Sequence, residues 1–333
     1  MTASLAPILP TSGLEPPHLH IPDGFLSLAI SLLFWAITIL FVVLATRRLG
    51  TTLGERQIPL VGVLAAAIFA AQMLNFPVAG GTSGHMLGGA LAAIVLGPWA
   101  AILAMTAVVA VQALVFQDGG LVVLGANIFN MGILTAIIGY GVYRMAAGRD
   151  KVLRYGVAGL AAWLSVMAAA LLTSLQIWLS GNADATLIFP AMIGVHALIG
   201  IGEALLTVGA LAFIESARPD LLNAEAVRER GGAGWVPLGL ATALAVTLLA
   251  PFASGSPDGL ERVAEDLGFL GLGRDASYQV IPDYTVPFLG DTALSTIVAG
   301  IVGALIVFGL LYLIVKAARA PETTRETQSQ VGQ

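Results

Sequence analysis

Residues 28–46, LAISLLFWAITILFVVLAT, run without one charged side chain, and similar runs recur along the chain. An apolar stretch of roughly twenty residues is what a helix needs to cross a bilayer. In lipid every backbone N–H and C=O must be satisfied inside the protein, so such runs commit the chain to helices. They fall at about 25–46, 58–75, 86–96, 98–116, 126–145, 155–179, 187–214, 235–252 and 291–315. The third is too short to span upright. It is glycine-rich and ends at Gly97-Pro98, which marks it as half of a broken helix continued by the fourth. Composition agrees: 57% of residues are apolar and 11% charged, where a soluble domain carries about 25% charge. The mean hydropathy is +0.90. The expected fold is an all-α polytopic membrane protein with about nine transmembrane helices.

Charge sets the expected orientation. Arg47, Arg48, Arg56, Arg144, Arg149, Lys151, Arg154, Arg218, Arg228, Arg230, Lys316, Arg319 and Arg325 fall on one side of a nine-span chain, and only Arg262 and Arg274 on the other. The positive-inside rule makes the first side cytoplasmic, with the N-terminus outside and the C-terminus in the cytoplasm of a prokaryotic cell. The outer side carries eleven acids against those two bases, a field that draws cations or simply a set of loops short of bases. A net charge of −5 gives no basic face for a nucleic-acid partner. The absence of cysteine leaves nitrogen and oxygen to hold any metal.

The chain divides into an N-terminal extension (1–18), a seven-span unit (19–214), a charged linker (215–234), a two-span module with a long outer loop (235–320) and a polar tail (321–333). The extension has no basic start and is broken by Pro7, Pro10, Pro16 and Pro17, unlike a signal peptide. In the outer loop, Ser256-Pro257-Asp258 ahead of LERVAEDLGFL predicts a short helix. The loop has no histidine or cysteine, so it is not expected to be the primary metal site.

Four histidines carry the possible chemistry: His18, His20, His85 and His196. The topology brings the first three to the outer face, and histidine is the common nitrogen ligand of transition metals. His18 sits in a Pro-rich tail, where an idle solvated ring is the plainer reading. Gly80, Gly84 and Gly88, spaced by four around His85, speak by themselves only for tight packing. His196 and Glu203 are seven apart and share a helix face; intramembrane ionisable groups are costly and usually functional. A hydrogen-bonded pair that locks packing is the competing reading. Asn75, Gln112, Asn127 and Asn130 are embedded amides suited to anchoring loops, and Asn75 and Asn127 also to orienting ligating imidazoles.

The segments HIPDGFLS (20–27), FPVAGGTSGHMLGG (76–89), GPWAAI (97–102), QALVFQDGGLVVLGANIFNMG (112–132) and GVHALIGIGEALLT (194–207) resemble the CbiM/NikM substrate-specificity component of energy-coupling factor transporters for cobalt and nickel. SPDGLE at 256–261, with the span after it, resembles the PDGLE module related to the small NikN/CbiN subunit. The resemblance implies a transporter subunit, not an enzyme, that captures Ni2+ or Co2+ as transported substrate in the cell membrane. It also implies a CbiQ/NikQ-like coupling subunit and CbiO/NikO-like ATPases as partners. The implied ligands are a free amine at position 19, the backbone and side-chain nitrogens of His20, and His85. Such a nitrogen plane suits Ni(II) and accepts low-spin Co(II), whereas Mg(II) and Ca(II) prefer oxygen.

The written chain departs from that pattern, because eighteen residues precede Leu19 and its nitrogen is an amide. Three explanations stand open: trimming, replacement of the amine by His18, or a start at position 19 decoded as Met. Other function classes are weaker. No His-Glu-x-x-His pair supports a metallohydrolase, and no phosphate loop ending in Gly-Lys-Ser/Thr supports ATP hydrolysis by this chain. A secondary divalent-cation transporter or channel using Glu203 remains the alternative, although the internal repeat expected of it is not evident.

Overall fold

A computed structural model describes residues 20–52, 58–222 and 233–318. Every one of the nine apolar runs contains helix. In chain order the elements are α1 (Leu28–Thr52), α2 (Ile58–Gln72), a hairpin of β1 (Phe76–Val78) and β2 (Thr82–Gly84), α3 (Gly89–Leu96) and α4 (Pro98–Val115). There follow α5 (Leu124–Ile128), which passes through a π-helical turn, Phe129–Leu134, into α6 (Thr135–Tyr143), then α7 (Lys151–Leu179) and α8 (Ala185–Ala217). The C-terminal part supplies α9 (Val236–Thr247), α10 (Gly259–Asp266) and α11 (Ala293–Ala318). Among the described residues, six helical stretches are long and apolar enough to cross a membrane; α2 and the stretch from Val236 to Phe252 are shorter apolar helices.

The break expected at Gly97-Pro98 is present. Gly97 takes φ 80°, a left-handed value that stops α3, and Pro98 opens α4 at its first turn, where its missing N–H costs nothing. Both stretches lie inside the protein. The side chains of Ala100, Ala101, Ala104, Ala107 and Ala113 are buried on α4, small residues that let helix backbones approach without help from water. Leu28, Leu32, Leu33, Ile39 and Leu40 on α1 are exposed instead, as a lipid-facing surface would be.

One core runs through both parts of the chain. Phe69 of α2, Met105 of α4 and Phe116 cluster with Ala304, Val307 and Leu311 of α11. Gly303 on α11 leaves room for the Phe69 ring, since an added Cβ would stand 2.1 Å from it. In the loop between α9 and α11, α10 begins where the Asp258-led sequence indicates. Asp258 Oδ1 accepts the Glu261 N–H at 2.7 Å, and the reciprocal Glu261 bond completes a capping box.

Candidate metal centre

Position 20 is fixed by its neighbours. Asn127 on α5 clamps the adjacent residue from both sides: its Oδ1 accepts the Ile21 N–H at 3.1 Å, and its Nδ2 donates to the Ile21 carbonyl at 3.0 Å. The Asp23 carboxylate accepts the N–H groups of Leu121, Val122 and Val123, tying the chain ahead of α1 to the start of α5. Gly119, at φ 97°, lies against the His20 side chain; a Cβ there would come within 2.8 Å of the His20 Cβ.

His20 is 3% exposed as a residue, and its side chain is fully buried. Its Nδ1 donates to Asp118 Oδ1 at 2.8 Å, and Asp118 Oδ2 accepts the Tyr284 hydroxyl at 2.7 Å. Nε2 is buried with no hydrogen-bond partner among the described residues. Burial disfavours the charged imidazole, yet the Asp118 carboxylate outweighs it and leaves the His20 pKa raised. For Asp118, burial is likewise outweighed, here by His20 and the Tyr284 hydrogen bond, and its pKa is lowered. The 2.8 Å hydrogen bond sets Nδ1 of His20 against the Asp118 carboxylate.

His85 sits beside it, with ring centroids 5.8 Å apart at 59°. The loop after β2 presents this ring, and its Nδ1 donates to the Met86 carbonyl at 3.0 Å. Glu203 of α8 secures the loop: its two carboxylate oxygens accept the Leu87 N–H at 2.7 Å and the Gly88 N–H at 2.9 Å. Gln72 Nε2 donates to the Leu87 carbonyl at 2.7 Å. His20 and His85 open onto a cavity of about 70 Å³ shared with His196, Asn127, Asn130 and Asp258.

The structure therefore unites His20, His85, Asn127 and His196, while Leu19 and His18 lie outside the described residues. Asn75 stands off the cavity; its carbonyl accepts the Ser254 N–H at 2.8 Å, and its buried Oδ1 has no partner among the described residues. His196 and Glu203 are not the bonded pair that their spacing suggested. Seven residues rise about 10 Å along a helix, too far for contact, and His196 Nδ1 donates to the Met192 carbonyl instead. Sequence reasoning did not single out Asp118, Tyr284 or Asp258 for this site. Asp258, held above the usual carboxylate range at about 6 by burial against the opposing Glu261 N–H bond, is the contribution to the cavity of the loop between α9 and α11.

Two imidazoles meeting in a buried cavity, with one nitrogen unpartnered and its opposite nitrogen held by a carboxylate, form the arrangement that metal-binding histidines adopt. The site is set in a bundle of apolar helices long enough to cross a membrane, which defines the chain as a polytopic helical membrane protein. Residues 20–221 match the CbiM family, the cobalt uptake substrate-specific transmembrane region, and residues 233–320 match the PDGLE domain. The chain belongs to the CbiM family and carries a fused C-terminal PDGLE domain. It is 40% identical over 308 residues, 90% of this chain and 99% of the relative, to a putative fused nickel transport protein NikMN of Archaeoglobus fulgidus. A fused nickel transport protein NikMN of Rhodobacter capsulatus is 31% identical, with 88% of this chain and 96% of that protein covered. The crystal structure of a transition metal transporter superposes with a TM-score of 0.55 at 30% identity, covering 64% of this chain and 100% of that one. The chain accordingly groups with components of metal transport.

Proposed function

We propose that this chain is the substrate-binding component of an ATP-driven nickel or cobalt uptake transporter in the cell membrane, taking the ion from outside through a nitrogen-ligand site. His20 and His85 are its side-chain ligands, and the nitrogen of position 19 joins them when it is a free amine. The observation that carries this reading is the convergence of the two rings, 5.8 Å apart, beside the cavity, with His20 Nε2 buried and without a partner among the described residues. An all-nitrogen set favours Ni(II) slightly over Co(II). The helices run in the orientation of the positive-inside rule, with the N-terminal side outside. Energy comes from ATPases through a coupling subunit, since the chain has no phosphate loop of its own.

The test is nickel binding by the full chain purified in detergent. His85→Ala should fold, by its melting transition, and lose tight nickel binding. Retention of ordinary binding would remove His85 from the site. Uptake that persists without any ATPase would favour the secondary-transporter alternative.

A further inference from the structure

We propose that Gln72 and Gln112, two amides buried between α2, α4 and the loop after β2, are positioning residues for His85. The proposal rests on the reading of His85 as a metal ligand and is independent of which His20 nitrogen meets the ion. Gln72 ends α2, and its Nε2 donates to the Leu87 carbonyl at 2.7 Å. Gln112, in the last turn of α4, donates from Nε2 to Gln72 Oε1 at 2.9 Å. Both residues are 0% exposed, so solvent does not compete for these bonds. The order of donors follows from the end of the chain. The Leu87 carbonyl can only accept, so it takes the Gln72 amide N–H and turns Oε1 the other way. Oε1 then needs a donor, and Gln112 supplies it. Without Gln112 the Gln72 amide would be free to rotate by half a turn and set oxygen against oxygen.

His85 stands between two held stretches of backbone. On one side Ser83 donates its N–H to the Pro257 carbonyl at 2.8 Å and its hydroxyl to the Ser256 carbonyl at 2.7 Å. On the other, the peptide groups around Leu87 are gripped at three atoms: the Leu87 and Gly88 N–H groups by Glu203 and the Leu87 carbonyl by Gln72. Glu203 holds this loop from α8 alone; the amide pair adds α2 and α4. Gln112 also reaches the surroundings of His20. Its backbone carbonyl accepts the Phe116 and Asp118 N–H groups, each at 3.1 Å, and so sets the turn whose Gly119 lies against His20. The loop of His85 and the turn beside His20 are thus tied to one residue. Packing of α2 on α4 does not require the amides, since Phe69 and Met105 already place the two helices in one core and a buried amide is costly unless bonded. What the pair holds, and an apolar pair would not, is the Leu87 carbonyl.

The experiment measures Ni(II) binding, the nickel ligand-field absorption and the melting transition of the full chain in detergent, with His85→Ala as the reference for the site. Methionine is unbranched and flexible like glutamine but lacks its amide. Gln72→Met should weaken nickel binding about tenfold, in the range known for partners outside the ligand shell, and shift the absorption band. The double variant Gln72→Met/Gln112→Met removes the amide that the single variant orphans, so its melting temperature should recover in part. Its nickel binding should stay as weak as that of Gln72→Met, because both residues act along one chain of contacts. A pair that served packing alone would regain binding as it regains stability, and that result would overturn the proposal. So would ordinary affinity or an unmoved band in Gln72→Met. If Gln72→Met does not fold, the double variant takes its place, and ordinary affinity or an unmoved band there overturns the proposal equally. Loss of binding in His85→Ala with ordinary binding in Gln72→Met refutes this inference alone. Ordinary binding in His85→Ala refutes the site itself.

Discussion

Glu203, midway along α8, accepts the Gly88 N–H at 2.9 Å through Oε1 while its other oxygen takes the Leu87 N–H at 2.7 Å. A buried acid on one span thereby holds the loop that carries His85 and opens α3. Glu203→Ala leaves the buried Gly88 N–H and the partly buried Leu87 N–H without their acceptor, at about 1–3 kcal/mol for a fully buried group. The expected result is a large drop in thermal stability together with weaker nickel binding. Glu203→Gln keeps one carbonyl acceptor and should lose roughly half as much stability. If Glu203 instead coupled ion movement, Glu203→Gln would abolish uptake with its melting transition intact, and that result would sink the anchoring role.

The left-handed turn before α5 gives a second prediction. Gly119→Ala adds a Cβ 2.8 Å from the His20 Cβ and 3.1 Å from Asn127 Nδ2, at φ 97°. It should cost on the order of 1–3 kcal/mol and weaken nickel binding at least tenfold by moving His20. Gly80→Ala is the control: its φ is 80°, but nothing lies within 4 Å of the added carbon. That variant should bear the backbone strain and bind nickel normally. Equal binding losses in both would show that strain, and not the contact with His20, is responsible.

Much of this architecture was legible from residues 28–46 and their counterparts, because lipid admits few alternatives to a helix once an apolar run is long enough. Gly97-Pro98 announced the broken helix through backbone chemistry alone, and Asp258 with Glu261 announced α10. His20 and His85 were legible as a chemical pair, and their rings lie 5.8 Å apart. Their supports were not. Asp118 lies 98 positions from His20, and Tyr284 lies 166 positions from Asp118. No local pattern connects such residues, since the link exists only after the C-terminal domain packs on α2 and α4. The His196–Glu203 spacing misled for a related reason: periodicity reports a shared face, not a partner.

Asp258 supplies a pH test. Its folded pKa of about 6 lies above the unfolded value of about 3.9. The folded state therefore holds the proton more tightly, and this group's contribution is fully present below about pH 4. It is lost as pH rises through 6, by on the order of 2–3 kcal/mol at 1.36 kcal/mol per unit. Asp258→Asn retains an acceptor for the Glu261 N–H, because Asn caps helices as well as Asp, but cannot ionise. The melting temperature of the variant should gain on that of the parent between pH 4 and 7, then run parallel. Parallel profiles across the whole range would show that Asp258 ionises in its folded site without penalty.

The last prediction concerns which nitrogen of His20 meets the ion. A chelate of terminal amine, backbone nitrogen and imidazole closes its second small ring through Nδ1, the nitrogen that donates to Asp118 at 2.8 Å. In the full chain position 19 is preceded by eighteen residues and has no free amine, so Nδ1 has no reason to leave its carboxylate, and Nε2 faces the metal. A chain that starts at position 19 with Met in place of Leu supplies the amine. It should bind Ni(II) more tightly than the full chain, with the absorption of a square-planar site, and adding one residue ahead of it should weaken binding strongly. Asp118→Asn then separates the two modes. It should weaken the full chain, where the carboxylate supports Nε2, and leave the short chain unharmed or tighter, because the competitor for Nδ1 is gone. Equal binding by the full chain, verified intact by mass, and by the short chain would exclude the terminal amine as a ligand. His18 would then be the candidate for the third nitrogen, in a set that also accepts tetrahedral ions such as zinc.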